Sequence, residues 1–207
     1  MTETLAPYAP LPWITKTELG FALIEHLGQE SEQSFGRMRA WHGQMGMFVR
    51  ALAYLMSHGG DGLAQVAEDA VLNANYVRVG LQDHYSMPYD GICMHEVLCD
   101  DQFLKQTEVK TLDVAKTLID EGFHPMTIYF PLIASGAMLI EPTETETKDT
   151  LDQFIGAMVK IANQATSKNA SALHEAPKYA PRKRLDETKA ARNPILRWTK
   201  NQPNNRV

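Results

Sequence analysis

GFHPMTIYFP at residues 122–131 and AMLIEPTETE at residues 137–146 decide how this chain folds. Each contains a short apolar run that is typical of a strand, and each run is entered or left through a proline. The second run leads into a segment, 141–147, that holds glutamates and threonines and no basic residue. We therefore expect two short strands, and then a helix that the acidic segment opens.

The acidic segment has two interpretations. Thr143 or Thr145 could cap the following helix, with Glu144 and Glu146 at the positive end of its dipole. Capping explains Glu141 less well, because that residue precedes a proline at the end of a strand. Glu141 is therefore a candidate site residue.

Strand and helix patterns alternate upstream of this segment. The run 92–99 is strand-like, and residues 111–121 have the spacing of a helix that begins at Thr111 and stops at Gly122. This order predicts a local strand–helix–strand unit. In the strand-like run, His95 and Glu96 should point to opposite faces and make a poor chelate. No HxxxH, CxxC or HExxH spacing occurs, so the sequence predicts no metal site.

The N-terminal part is less regular. Residues 1–14 contain three prolines and predict an extended arm, while 15–33 have weak helical spacing or form a connection. Glycines and arginines in 34–46 could present amides and guanidinium groups to an anion. A helix over 47–57 is apolar on most sides, which favours burial, and His58-Gly59-Gly60 should break it. The best helical pattern follows, from Asp61 to Leu81, with Asn73 and Asn75 expected on a solvated face.

Charge separates the C-terminal tail from the rest. Residues 1–162 carry 10 Lys and Arg against 22 Asp and Glu, and residues 163–207 carry 10 against 3. We expect the tail to fold back along the acidic body, with short helices at 168–175 and 186–192 and packing by Ile195, Leu196 and Trp198. The tail lacks the pattern of a nucleic-acid binder, and residues 199–207 should be disordered.

Other features concern the compartment. The longest apolar runs are too short to span a bilayer, and the N-terminus lacks the pattern of a signal peptide. Cys93 and Cys99 lie six positions apart in one strand-like run, about 20 Å if fully extended, which is too far for a disulfide. We expect buried free thiols and a cytoplasmic protein with no membrane partner.

Several motifs carry a family resemblance. In chain order they are Phe35–Arg37, Val71–Tyr76, Met94–Glu96, Asp113–Lys116, Gly122–Pro125 and, above all, Ile140–Lys148. They closely resemble the P-protein of the glycine cleavage system, the decarboxylating glycine dehydrogenase. The match is to the C-terminal half of the subunit 2-like chain that carries the cofactor lysine, and it covers residues 33–165 and, less completely, 177–198.

The resemblance implies a fold and a division of the chain. It identifies the chain mostly as the small C-terminal domain of a fold type I (aspartate-aminotransferase-like) pyridoxal phosphate enzyme, an α+β fold in which a short sheet packs with helices. The division is a proline-rich arm and connection at 1–33, a small-domain core with its long leading helix at 34–165, and a basic extension at 166–207.

The resemblance also implies an oxidoreductase of glycine catabolism, which decarboxylates glycine and transfers the aminomethyl group to a lipoyl carrier protein. The Schiff-base lysine of the family follows a histidine, and no His-Lys dipeptide occurs here. We therefore expect no catalytic residue in this chain, and pyridoxal phosphate only with a complementing large domain. The partners that the resemblance implies are a large-domain chain or another P-protein subunit. An oligomer is expected, since a lone copy should expose apolar surface around helix 47–57.

The family's chemistry would ask this domain for polar residues at the rim of a cleft. The candidates for cofactor or substrate contacts are Ser34, Arg37, His95, His124, Glu141 and Thr143. The alternative function is a non-catalytic remnant or interaction module that pairs with an intact P-protein subunit.

Overall fold

The computed structural model describes residues 4, 6–25, 33–34, 36–37, 43–167, 170–197 and 200. The chain divides into two compact units, Met1–Gly59 and Gly60–Val207. This division falls inside the predicted 34–165 core, so the three-part organisation from the family resemblance stays a prediction.

The first unit contains a hairpin. A 3-10 helix, Ala6–Tyr8, precedes strand β1 (Trp13–Thr17), which pairs antiparallel with β2 (Gly20–Ile24). The weak helix predicted within 15–33 is therefore wrong over the described residues. The β-branched residues of β1 favour strand, and Gly20 takes φ 120° after the turn, a conformation that glycine adopts without steric cost.

Helix α1 spans Met45–Leu81 and is interrupted at Gly59, where φ is 65°. The predicted break at His58-Gly59-Gly60 is thus confirmed. The helix before the break was expected to be buried because of its composition, but its large apolar side chains are exposed, for example Leu52 at 56% and Met56 at 76%. The second expectation for this helix, that a lone copy of the chain would expose apolar surface around 47–57, is confirmed.

The second unit is built on a three-stranded antiparallel sheet of order β3-β5-β4. Its strands are β3 (Val97–Cys99), β4 (Thr127–Ile128) and β5 (Met138–Ile140). Val97 lies opposite Ile140, and Ile128 lies opposite Met138. The two strands expected from 122–131 and 137–146 are confirmed, but β3 occupies only the last three residues of the strand-like run at 92–99.

Two helices pack with the sheet around one core. Helix α2 (Thr111–Asp120) ends as predicted before Gly122, whose φ is 88°. Helix α3 (Lys148–Ala165) begins after Thr147, whose hydroxyl accepts a hydrogen bond from the Thr150 N–H. The expected caps at Thr143 or Thr145 are therefore wrong. The helices and sheet enclose fully buried side chains, which include Leu81, Leu118, Met138 and Met158.

The C-terminal segment folds back onto this core. A 3-10 helix, Ala170–Glu175, buries Leu173, so the predicted extension begins as part of the core. The Arg184 guanidinium reaches the buried Asp113 carboxylate at 2.7 Å, which confirms contact between the basic tail and the acidic body. Helix α4 (Glu187–Arg192) follows. Ile195 and Leu196 are 67% and 87% exposed, so their expected packing is wrong. Trp198 and the predicted disordered end at 199–207, apart from residue 200, lie outside the described residues.

Candidate functional site

A pocket with a cavity of about 370 Å³ opens in the second unit, where β5 ends and α3 begins. Its walls are apolar side chains from the α2–β4 loop, the sheet and α3. These are Phe123, Pro125, Met126, Leu139, Ile140, Pro142, Leu151 and Phe154. Phe123 and Phe154 meet edge to face, with ring centroids 5.5 Å apart. We call this cavity the carboxylate pocket, after the polar residues described next.

Three glutamates and a histidine line the carboxylate pocket: Glu96, Glu141, Glu146 and His124. His124 and Glu141 are predicted site residues that the structure brings together. Neither Glu96 nor Glu146 was a candidate. Glu146 had been explained by helix capping, but α3 begins two residues after it. The described lining residues include no lysine or arginine.

His95 stands beside this group. Its Nε2 lies 3.8 Å from Glu141 Oε1, and donor atoms of His95, Glu96 and Glu141 all lie within 4.8 Å of one another. The expectation that His95 and Glu96 would point apart is therefore wrong. It assumed an extended strand through both residues, whereas β3 begins only at Val97.

Asn75 holds the segment that carries these residues. Its side-chain amide donates to the Cys93 carbonyl at 2.7 Å and accepts from the Cys93 N–H at 3.0 Å. Asn73 donates to the Thr143 carbonyl at 2.9 Å. The expected solvated role of the two asparagines is therefore wrong, since they connect α1 to both polypeptide segments at the pocket mouth. Thr143, a predicted site residue, shares a 2.8 Å hydroxyl contact with Thr145 and does not line the pocket.

Ser34 and Arg37 belong to the other unit. The buried Ser34 hydroxyl donates to the Ala9 carbonyl at 2.6 Å and accepts from the Gly36 N–H. Arg37 Nη2 pairs with Glu25 Oε2 at 3.5 Å. Both side chains thus have partners within their own unit, and their proposed contact with an anion stays a prediction.

Pyridoxal phosphate does not fit the described residues of the carboxylate pocket. Its phosphate is an anion, and three carboxylates without a neighbouring cation would repel it. A Schiff-base lysine needs a lowered pKa, but the hydrogen bond from Lys148 to Asp152 at 2.6 Å raises the pKa of that lysine. The carboxylate pocket is therefore not a binding site for the family's cofactor.

The cysteines have the expected state and differ in burial. Both are free thiols, with Cys99 buried and Cys93 half-buried. Burial raises the pKa of the Cys99 thiol to about 12, with a smaller contribution from Asp100.

Within the described ranges, no helix is both long and apolar enough to cross a membrane.

Comparison with known proteins places this fold in a family. A family model described as glycine dehydrogenase, C-terminal domain, matches residues 66–181, more than half of the chain. This chain belongs to the glycine dehydrogenase C-terminal domain family. The matched region contains the whole three-stranded sheet, α2, α3 and every residue that lines the carboxylate pocket.

Curated relatives extend the match beyond that domain. A probable glycine dehydrogenase (decarboxylating) subunit 2 from Caulobacter vibrioides is 58% identical over 200 residues, 96% of this chain and 38% of the relative. A protein of the same description from Listeria monocytogenes is 47% identical over 198 residues, 96% of this chain and 40% of the relative. The chain thus spans about two fifths of the length of these relatives.

A solved structure supports the fold. The crystal structure of glycine decarboxylase (P-protein) of the glycine cleavage system, in inhibitor-bound form, aligns with a TM-score of 0.57 and 18% sequence identity. The alignment covers 76% of this chain and 37% of that chain. This chain accordingly has the predicted α+β fold, which it shares with the aligned part of that P-protein.

Proposed function

We propose that this chain contributes the C-terminal domain of a decarboxylating glycine dehydrogenase of the glycine cleavage system. The observation that carries the proposal is the 58% identity to the Caulobacter subunit 2 across 96% of the chain. The aligned 200 residues include the hairpin and most of the tail as well as the matched domain. The proposed substrate is glycine, with transfer of an aminomethyl group to a lipoyl carrier protein.

The proposal assigns the domain a supporting role in that reaction. A large domain, on whatever polypeptide it lies, holds pyridoxal phosphate, which supplies the electron sink for decarboxylation. The carboxylate pocket contributes to the rim of the cleft, with His124, His95 and Glu141 as polar contacts. Thr143 orders the pocket mouth through its carbonyl, and Arg37 and Ser34 are further candidates for contact with an anion.

Exposed apolar surface supports a need for a covering partner. The helix before Gly59 exposes side chains that are usually buried, among them Phe48 at 54%, Val49 at 58% and Leu55 at 48%. Exposure of several large apolar side chains along one helix is typical of an interaction site. We assign its cover to the large domain or to another P-protein subunit.

The alternative function is a non-catalytic module that pairs with an intact P-protein subunit. The misfit of the carboxylate pocket to an anionic cofactor favours this alternative, because the residues that line this pocket then have no direct role in cofactor binding. The two functions share the fold and differ in whether this chain supports turnover.

A chimera separates them. The matching 200 residues of the Caulobacter subunit 2 are replaced by this chain, and exchange of labelled bicarbonate into the glycine carboxyl is measured with the other P-protein subunit and the lipoyl carrier present. We expect the rate of exchange to lie within about tenfold of the parent's rate, which corresponds to a difference of about 1.4 kcal/mol in activation free energy. A folded chimera that binds its partners but gives no exchange above background would favour the non-catalytic module. The parent carrying a substituted cofactor lysine is the background control.

A further inference from the structure

We propose that His95, Glu96 and Glu141 form a binding site for one divalent first-row transition-metal ion at the mouth of the carboxylate pocket. The inference goes beyond the proposed function and does not depend on it.

Strand pairing brings the three residues together. Val97 and Ile140 face each other in the β3–β5 ladder, so Glu96 and Glu141 each continue past the same end of that pair. His95 precedes Glu96, and the Asn75 hydrogen bonds to Cys93 fix the backbone two residues before it. Two chain segments far apart in sequence therefore deliver one imidazole and two carboxylates to one point.

Distances between the donor atoms suit a metal ion with little adjustment. All three donor atoms lie within 4.8 Å of one another. Zinc binds histidine nitrogen and carboxylate oxygen at about 2.0–2.2 Å, so its ligand atoms stand roughly 3–4 Å apart. The side chains of His95 and Glu141 are 53% and 56% exposed, which leaves them free to close by that amount.

The local charge favours a cation. Glu96, Glu141 and Glu146 all line the same pocket, and no lysine or arginine stands among the described lining residues. Converging carboxylates repel one another, and a dication removes that repulsion. The contact between His95 Nε2 and Glu141 Oε1, at 3.8 Å, is too long for a hydrogen bond, so it does not compete strongly with a metal.

The donor set indicates the class of metal. Imidazole suits zinc, cobalt and related ions, while magnesium and calcium prefer oxygen ligands alone. Three protein ligands leave at least one coordination position, as in zinc sites that keep a water or bind a further ligand. Here that position would face the cavity, where Glu146 and His124 can accept or donate hydrogen bonds to bound water.

Isothermal titration calorimetry with Zn²⁺ tests the site, on the full chain free of any purification tag and in a non-chelating buffer. We expect one ion per chain, bound with an affinity that falls at least about tenfold in each of His95→Gln, Glu96→Gln and Glu141→Gln. The matched control is His84→Gln, a histidine outside the pocket, which should leave binding unchanged. Circular dichroism checks that each variant is folded.

Cobalt gives a second readout. Co²⁺ bound by His95 and the two glutamates should absorb visible light more strongly than hydrated Co²⁺. Adding Zn²⁺ should displace the Co²⁺ and remove this absorption, and the His95→Gln variant should not show it. Equal Zn²⁺ affinity in the wild type and all three site variants would overturn the proposal. So would a titration that shows no saturable binding, because His95 and Glu141 would then form an ion pair only.

Discussion

Arg184→Met should lower the free energy of unfolding of the second unit more than substitution of an exposed arginine does, because Arg184 binds the C-terminal segment to a buried carboxylate. Its Nη2 lies 2.7 Å from Asp113 Oδ1, and the Asp113 side chain is only 3% exposed. Arg184 also donates to the Ala176 carbonyl at 2.7 Å and to the Leu173 carbonyl at 3.1 Å. The substitution therefore removes one ion pair and two hydrogen bonds at once.

The expected magnitude follows from burial. Removing one partner of a fully buried ion pair costs about 3–5 kcal/mol. The Arg184 side chain is 32% exposed, so solvent already weakens the pair. Asp113 also keeps the Lys110 N–H at 2.8 Å and His174 Nδ1 at 3.2 Å. We therefore expect a loss of about 2–3 kcal/mol in the free energy of unfolding.

Urea unfolding followed by far-ultraviolet circular dichroism measures this loss. The matched control is Arg192→Met on α4, an exposed site whose substitution should change stability by less than about 0.5 kcal/mol. A double-mutant cycle with Asp113→Asn should give a coupling energy of at least about 1.5 kcal/mol. Equal midpoints for Arg184→Met and Arg192→Met, or a coupling energy near zero, would refute the assigned role of Arg184.

Three further predictions concern packing, capping and pH. Gly80→Ala should lower stability by about 1–3 kcal/mol in thermal unfolding, since a Cβ there would lie 2.7 Å from Ile155 Cδ1, whereas Gly156→Ala, with open space around its Cβ, should not destabilise. Thr147→Ala should cost about 1 kcal/mol in urea unfolding, because α3 loses its N-cap, and an unchanged midpoint would contradict that cap. The Cys99 thiol has a pKa of 9.0 in the unfolded chain and about 12 in the folded protein. Its contribution to the free energy of unfolding is therefore fully present below pH 9 and falls by about 1.4 kcal/mol per pH unit between pH 9 and pH 12. Cys99→Ala should reduce this loss of stability with rising pH, and an unchanged pH dependence would show that Cys99 is not its cause.

Local signals predicted those parts of the fold that depend on adjacent residues. Helix α2 ends before Gly122, which takes a positive φ that glycine adopts without steric cost, and the helix was expected to end there for that reason. Likewise, Gly59 interrupts α1 where two consecutive glycines had indicated a break. The short runs around Ile128 and Met138 are strands, as their apolar patterns and flanking prolines predicted.

Other features depend on choices that a local pattern cannot make. Three threonines precede α3 at alternate positions, and each is a good N-cap, so only the packing of the helix decides that Thr147 takes the role. The hairpin was missed because weak helical spacing around Leu19 competed with the β-branched residues of β1, and pairing with β2 decided the outcome.

The candidate site was predicted in part for the same reason. Glu141 and His124 stood out by their positions at a strand end and a turn. The approach of His95 and Glu96 to Glu141 depends on the register of β3 against β5, which no spacing within a single segment reveals. Asn75 gave a signal as a poor helix former inside a strong helix, but its partner at Cys93 is set by the tertiary fold.

Borohydride reduction of the chimera tests the central claim most directly, namely that this chain belongs to a glycine dehydrogenase but leaves the cofactor lysine to the large domain. After incubation with pyridoxal phosphate and reduction, peptide mapping by mass spectrometry locates the phosphopyridoxyl group. We predict stoichiometric labelling of one lysine outside the 207 residues and none within them. Stoichiometric labelling of a single lysine within this chain, such as Lys148 or Lys160, would contradict the claim.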